Sequence, residues 1–411
     1  MFDRKMLTKL GGWTGYRVVD VDYRPGEGWG GRGKVIIRLE PTRKRMRCNR
    51  CGSTSTQVHD TAIRRIRDLP MFDWDVVLIV PRRRQWCERC GGPQLEDLEW
   101  VRPYRRVTRR LEEAVGRLCQ MMPLKQVAAF YGLAWHTVKA IDKQMLERTV
   151  GTVDLTGVRY LGMDEFALHK GHRYATVIVE PLRREVLWVG AGHSREAVRP
   201  FFAALSEQVR RNIRAVVMDM NAAYDLEVRA WCPNAEVVYD LFHVVAKYGR
   251  EVMDRVRVDE ANRLRQDKRA RQVVKSSRWL LLRNRENLKT SEQQVRLDEL
   301  LAANESLMTV YVLKEDLKEL WRTREETEAR SRWEAWYRRA MESGIEPLMR
   351  FARRLKPYLS GILAHCRHPL HTSVLEGINN RIKVIKRMAY GFRDEAYFFL
   401  KIRAAFPGNL R

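Results

Sequence analysis

The sequence predicts a multidomain α/β fold on three observations. Cysteines are paired at Cys48/Cys51 and Cys87/Cys90, aspartates end two short apolar runs at Asp164 and Asp219, and the stretch between Gly249 and Gly344 holds neither glycine nor proline. Paired cysteines imply a zinc-binding β module, expected over residues 1–100. Apolar runs of strand length imply a sheet, and a long stretch free of helix breakers implies helices alone. The expected organisation is therefore the β module, a helical domain over 101–152, and a sheet domain made of 153–245 and 361–411, interrupted by an all-α insertion over 246–360.

Composition narrows the partner. Lys and Arg number 77 against 51 Asp and Glu, a formal charge of +26, with a pI of 10.1. An excess of that size points to nucleic acid. Binding to an anionic membrane would call for an apolar run of about 18 residues or an amphipathic anchor, and the sequence offers neither. The first residues lack the apolar core of a signal peptide, so a cytoplasmic, nucleoid-associated protein is expected.

In the module, strands are expected over 16–23, 34–39 and 74–80. Two-residue thiol spacing in a reducing compartment suits four thiolates on one structural Zn2+ better than disulfides. Arg43, Lys44, Arg45, Arg47, Arg64, Arg65, Arg67, Arg82, Arg83 and Arg84 surround the knuckles and suit phosphate contact, or else form a solvated face. Cys119, Cys232 and Cys366 stand alone and read as small buried hydrophobes.

Residues 124–141 resemble a helix-turn-helix. Ala128 is small enough for two helices to approach, Gly132 suits a turn with positive φ, and Val138 with Ile141 supplies the apolar face of a second helix. Trp135, His136, Thr137 and Lys139 would open that helix and face base edges. An ordinary helical hairpin is the competing reading.

Next come three short strands over 158–168, 174–180 and 185–190. A helix capped by Ser194 and running to about 211 follows, then a strand over 215–218, a helix over 221–230 and a strand over 236–239. Three antiparallel strands, then helix, strand, helix, strand, is the element order of a ribonuclease H-like sheet. In it Asp164, on the first strand, lies beside Asp219 at the end of the fourth.

After the insertion, Glu376, Asn380, Lys383 and Arg387 fall at i, i+4, i+7 and i+11 of an amphipathic helix, so one face carries a carboxylate, an amide and two cations. Trp279, Trp321, Trp333 and Trp336 are either core or, for one of them, a ring to stack on an unpaired base. His365, His368 and His371 are spaced by three, which would suit either a metal cluster or solvated, DNA-facing rings.

These motifs together resemble the ISL-three family of bacterial insertion-sequence transposases, which belong to the DDE transposases. The likeness runs from the four cysteines through the helix-turn-helix and Gly162-Met-Asp164-Glu-Phe to Glu376-Gly-Ile-Asn-Asn-Arg-Ile-Lys383. It implies that Asp164, Asp219 and Glu376 bind two Mg2+ ions, with Mn2+ able to substitute. It also implies that Lys383 contacts DNA, as the shared helix face suggests for Asn380 and Arg387, and that Asp240 and His243, in Asp-Leu-Phe-His, support the metal ligands or position DNA, a structural histidine on an apolar segment being the competing reading. The implied activity is cleavage at terminal inverted repeats and strand transfer into target DNA by direct phosphodiester attack, on a homodimer or larger assembly. Two competing functions remain: a ribonuclease H-like nuclease selective for DNA structure, and a non-enzymatic DNA-binding regulator.

Overall fold

A computed structural model describes residues 3–151, 153–169, 171, 173–368, 370 and 373–408. The chain begins with helix α1 (Arg4–Gly11), followed by strands β1 (Tyr16–Arg24), β2 (Gly33–Pro41), β3 (Met46–Arg47), β4 (Thr54–Ser55), β5 (Val58–Arg67), β6 (Trp74–Cys87) and β7 (Gly92–Leu95). Five of these form one sheet in the order β1-β2-β6-β5, with β7 also on β6, while β3 and β4 make a separate two-stranded ladder at the first cysteine pair. In β2, Val35, Ile37 and Leu39 alternate inward, and Val76, Leu78 and Val80 of β6 meet them in one core with Leu7 and Trp13. Period-2 alternation of β-branched and aliphatic residues drives this packing.

A buried acid fastens this sheet to the first of the helices after it. Asp68 is fully inaccessible and accepts from Trp13 Nε1 at 2.8 Å, Thr108 Oγ1 at 2.6 Å and Arg110 Nε at 2.6 Å. Thr108 also caps α2 (Arg109–Cys119). Then come α3 (Leu124–Tyr131) and α4 (Trp135–Thr149), packed on α2 through Leu111, Val115, Val127, Ala128, Val138 and Ile141. Gly132, between α3 and α4, has φ +60°, and a Cβ there would lie 2.6 Å from Trp29. Glycine is required at that position by both backbone and space.

A second sheet comprises β8 (Tyr160–His169), β9 (Arg173–Glu180), β10 (Glu185–Ala191), β11 (Ala215–Met218) and β12 (Glu236–Tyr239), in the order β10-β9-β8-β11-β12. β8, β9 and β10 are an antiparallel meander, whereas β11 runs parallel to both β8 and β12. Between β10 and β11 lie α5 (Arg195–Ala204) and α6 (Glu207–Asn212), where one continuous helix was expected. The chain breaks because Ser206 turns extended and caps α6 by accepting from Val209 N, while Arg210 donates to the Phe202 and Ala203 carbonyls that end α5. β11 and β12 are joined by α7 (Ala222–Trp231).

Helices follow without a strand among the described residues: α8 (Leu241–Tyr248), α9 (Asp254–Arg263), α10 (Lys268–Ser276), α11 (Arg278–Leu282), α12 (Ser291–Ala302), α13 (Glu305–Arg322), α14 (Glu326–Glu342), α15 (Glu346–Leu355) and α16 (Leu359–Leu363). Their apolar faces continue the core of the second sheet, from Val216 and Tyr239 through Tyr248 to Leu317 and Trp336. Helix α17 (Ser373–Met388) and α18 (Glu395–Ala405) close the described chain. By contacts the protein divides into two compact units, Met1–Gly151 with Ile385–Ala405, and Thr152–Val384 with Phe406–Arg411. No helix among the described residues is long and apolar enough to cross a membrane.

Candidate active site and DNA-binding elements

In the second unit, parallel pairing sets Met163 of β8 opposite Met218 of β11. Asp164 and Asp219, each one residue further on, therefore stand on neighbouring strands, whose spacing is about 4.8 Å. The chain turns sharply after β11: Asp219 Oδ1 accepts from Met220 N at 2.5 Å, its carbonyl accepts from Asn221 N at 2.6 Å, and Asn221 caps α7 through Ala223 N at 2.9 Å. Asp240 leaves β12 in a similar way, capping α8 through Phe242 N at 2.8 Å while its own N–H donates to Met218 O. One turn into α8, His243 lies between two carboxylates, with Nδ1 3.4 Å from Asp219 Oδ2 and Nε2 3.6 Å from Asp240 Oδ2.

Asp164, Asp219, Asp240 and His243 line one cavity of about 280 Å³, and its remaining wall includes Glu376, Asn379, Asn380 and Lys383 of α17. Arg387, the fourth residue of the expected stripe, falls in the last turn of that helix. Burial pushes the Asp164 carboxyl up to about 6, and the Asp219 charge adds to this against the Glu165 N–H and His243. The three acids are not gathered as tightly as the cysteines, whose four sulfurs alone among the described residues lie within 4.8 Å of one another. A pair of cations about 3.5–4 Å apart needs ligands spread around two centres, and carboxylate and amide oxygens are the hard donors such cations take.

Sequence reasoning missed Asn379. It is 7% exposed and donates from Nδ2 to Asp164 Oδ2 at 2.5 Å, while its Oδ1 is buried with no hydrogen-bond partner among the described residues. Helical spacing pointed to the face, but residues 379 and 380 both lie on it, and only burial separates them. Glu165 also lines the cavity and holds His193 Nδ1 at 2.7 Å.

In the first unit, Cys48, Cys51, Cys87 and Cys90 converge from the β3–β4 turn and the end of β6. Ser53, which the spacing did not flag, places Oγ 3.1 Å from the sulfurs of Cys51 and Cys87. That contact holds the Cys51 thiol down at about 6 and lowers Cys87 too, which favours the thiolate at those two positions, while the Cys51 sulfur and burial push Cys90 up to about 12. Cys119 and Cys232 are buried and Cys366 half-buried.

The arginines divide into two groups. Arg43, Lys44, Arg45, Arg47, Arg64 and Arg65 are exposed, whereas Arg82 and Arg83 are buried, which overturns their expected place on a phosphate-facing surface. Arg83 pairs with buried Glu96, since a guanidinium inside this module requires a carboxylate. Arg84 pairs with Asp60. Arg67 donates to Asp75 and to the carbonyl of Tyr131 at 3.0 Å, so it ends α3 from outside the helix.

At the start of α4, Trp135 and His136 are exposed and Thr137 is half-buried. Lys139 is committed inward: its ammonium lies 3.1 Å from Asp394 and 5.7 Å from the Tyr397 ring. Of the four tryptophans, Trp333 and Trp336 are core, Trp321 is half-buried against it, and Trp279 is exposed. His365 bonds the carbonyls of Ile362 and Thr323, and His368 faces Glu236. His371 lies outside the described residues.

Residues 161–402 match a family model described as a transposase, of the ISL3 type. Over 411 residues, all of both chains, the sequence is 58% identical to the transposase for insertion sequence element IS1001 of Bordetella parapertussis. The chain belongs to the ISL3 family of transposases. Residues 96–144 match the helix-turn-helix domain of that family, and residues 44–90 match the zinc-finger of the transposases of IS204, IS1001, IS1096 and IS1165. Transposases for insertion sequence element IS1557 from two Mycobacterium tuberculosis strains, CDC 1551 / Oshkosh and ATCC 25618 / H37Rv, are 27% identical over 404 residues, covering 92% of this chain and 89% of theirs. Zinc at the four cysteines and DNA at the helix-turn-helix follow from membership together with the geometry.

Proposed function

We propose that this transposase is a DDE-type polynucleotidyl transferase that cuts DNA at the ends of its insertion sequence and joins them to a target. The reading rests on one observation above the rest: Asp164, Asp219 and Glu376 share a single cavity with His243 and Lys383. The sheet order, meander first and parallel strands after, favours a ribonuclease H-like domain over 153–245 that resumes at 361 after the helices of 246–360, although Ile385–Ala405, expected within it, groups by contacts with the first unit.

Asp164, Asp219 and Glu376 would hold two Mg2+ ions, or Mn2+ in their place. Bound there, the ions would supply charge neutralisation at the scissile phosphate and a lower pKa for the attacking hydroxyl. The chain's own part is orientation. His243 steadies Asp219 against Asp240, Asn379 steadies Asp164, and the Lys383 ammonium draws a backbone phosphate to the cavity, with Asn380 beside it and Arg387 further along the helix. Water is the first nucleophile, and the 3′-OH it frees is the second, so no covalent protein intermediate is formed. Trp135, His136 and Thr137 would read base edges of the terminal inverted repeats, with the zinc module on the phosphates. Lys139 acts there indirectly, through its pairing with Asp394. Bringing two ends together requires at least a dimer, working in the cytoplasm at the nucleoid.

The test uses full-length protein, a duplex carrying the inverted repeat that flanks the reading frame, and Mg2+. Asp164→Asn, Asp219→Asn and Glu376→Gln should each abolish cutting and joining while end binding survives. Cleavage by wild type without joining of a pre-cut 3′-OH end would indicate a nuclease instead, and activity unchanged in all three variants would sink the reading.

A further inference from the structure

Among the described residues, positive φ outside glycine occurs at Phe72 (53°), Tyr104 (62°), Arg184 (55°) and Tyr390 (54°). Arg184 lies in the β9–β10 hairpin. The other three are aromatic rings that are 80%, 83% and 94% exposed. An L-residue in the left-handed region is strained, and a ring so exposed buries little area in return, so these positions would be cheaper as glycine.

The surroundings fix both tyrosines in place. On either side of Tyr104, Arg102 bonds buried Glu112 at 2.7 Å and Arg105 bonds Gln144 at 2.5 Å. Tyr390 occupies the left-handed position after α17, with its N–H donating to Arg387 O at 3.0 Å and Gly391 N–H to Lys386 O at 2.9 Å, a terminus where glycine is the usual occupant. Downstream, Phe392 stacks on Phe398 at 4.5 Å, and Asp394 accepts from Tyr397 N at 3.0 Å. Strained backbone clusters at ligand clamps and switch regions, so strain held in place at an outward-facing ring points to a ligand contact.

We infer that Tyr104 and Tyr390 are DNA wedges, whose rings stack on bases or deoxyribose faces opened at a distorted step of the bound duplex. Exposed cations adjoin both, Arg106 near Tyr104 and Arg393 near Tyr390, and the protein as a whole is charged +26. Cation and ring side by side match a phosphate and its base. Phe72 shares the backbone geometry but is followed by an acid, Asp73, and is left out.

The inference rests on the DNA-binding role of the family, and its failure is separable from that role. Full-length protein is titrated into the terminal-repeat duplex carrying 2-aminopurine, with Tyr390→Gly, Tyr104→Gly and the corresponding Phe variants alongside. Glycine suits the left-handed backbone, so the glycine variants should melt no lower than wild type, yet bind roughly tenfold more weakly. They should also lose the 2-aminopurine enhancement that wild type and the Phe variants give. Glycine variants that bind as wild type does, or that melt lower, overturn the wedge. A wild-type protein that fails to bind the duplex would instead remove the DNA-binding role itself.

Discussion

At the scale of the residue, the proposed metal site turns on Asn379. Its amide donates to Asp164 Oδ2 from a buried position on the same helix as Glu376, so it ties the strand acid to the helix acid. Groups that orient metal ligands change affinity by about 10- to 100-fold when removed. Asn379→Leu should therefore raise the Mn2+ concentration needed for half-maximal cutting by about that factor, and weaken Mn2+ binding read directly by electron paramagnetic resonance. Asn380→Leu, at an exposed neighbour, should leave Mn2+ binding unchanged, and equal effects from the two would show that Asn379 has no special part. The adjacency of Asp164 and Asp219 was legible, because each ends an apolar run of strand length and the element order sets those two strands side by side. The sequence could not rank two adjacent amides, because a 100° turn of helix puts either of them on the cavity side.

At the scale of elements, strands rich in Val, Ile and Leu were legible, by alternation in β2 and as short continuous apolar runs in β11 and β12, and β1, β2, β6 and β8 through β12 fall where strands were expected. β5 was not, since its residues are exposed on both faces except at Asp60, Ile66 and Arg67, and an edge strand without a buried side has no alternation to read. The break between α5 and α6 had a signal in Ser206-Glu207, a cap followed by an acid, but the apolar period hid it. The helical stretch was legible only as helix; nothing in the sequence marks Lys314, which is 1% exposed on α13 and donates to Leu281 O at 2.9 Å and Arg283 O at 3.2 Å at the end of α11. Burial pulls its ammonium down to about 8 from the usual 10.5. Below pH 8 both folded and unfolded states carry the proton and the folded state bears the full desolvation cost. Between pH 8 and 10.5 the unfolded chain binds more protons, so stability rises with pH. Relative to Lys314→Met, wild type should therefore gain on the order of 1–3 kcal/mol across that window and nothing below it. Thermal unfolding of both proteins at stepped pH checks this, and a constant difference would place the ammonium in water.

For the molecule as a whole, the +26 charge sets the long-range field, but a phosphate is held most readily by a cation that is exposed and outside any ion pair. Buried Arg82 and Arg83 are structural, and Arg67 and Arg84 are paired, whereas Arg43, Lys44 and Arg45 are exposed beside the first zinc knuckle and form no ion pair among the described residues. Net charge alone could not make this division, because pairing depends on which acids the fold brings alongside. Each phosphate neutralised releases condensed counterions, so the logarithm of affinity falls with the logarithm of salt at about −0.9 per contact on a duplex. If those three side chains hold phosphates, the triple change to Gln should make the slope shallower by about 2.7 while melting temperature and zinc content stay at the wild-type values. Arg84→Gln, which breaks an existing pair with Asp60, should leave the slope where it was. A triple variant with an unaltered slope would move the phosphate contacts off the zinc knuckles and leave the helix-turn-helix as the principal DNA-binding element of the first unit.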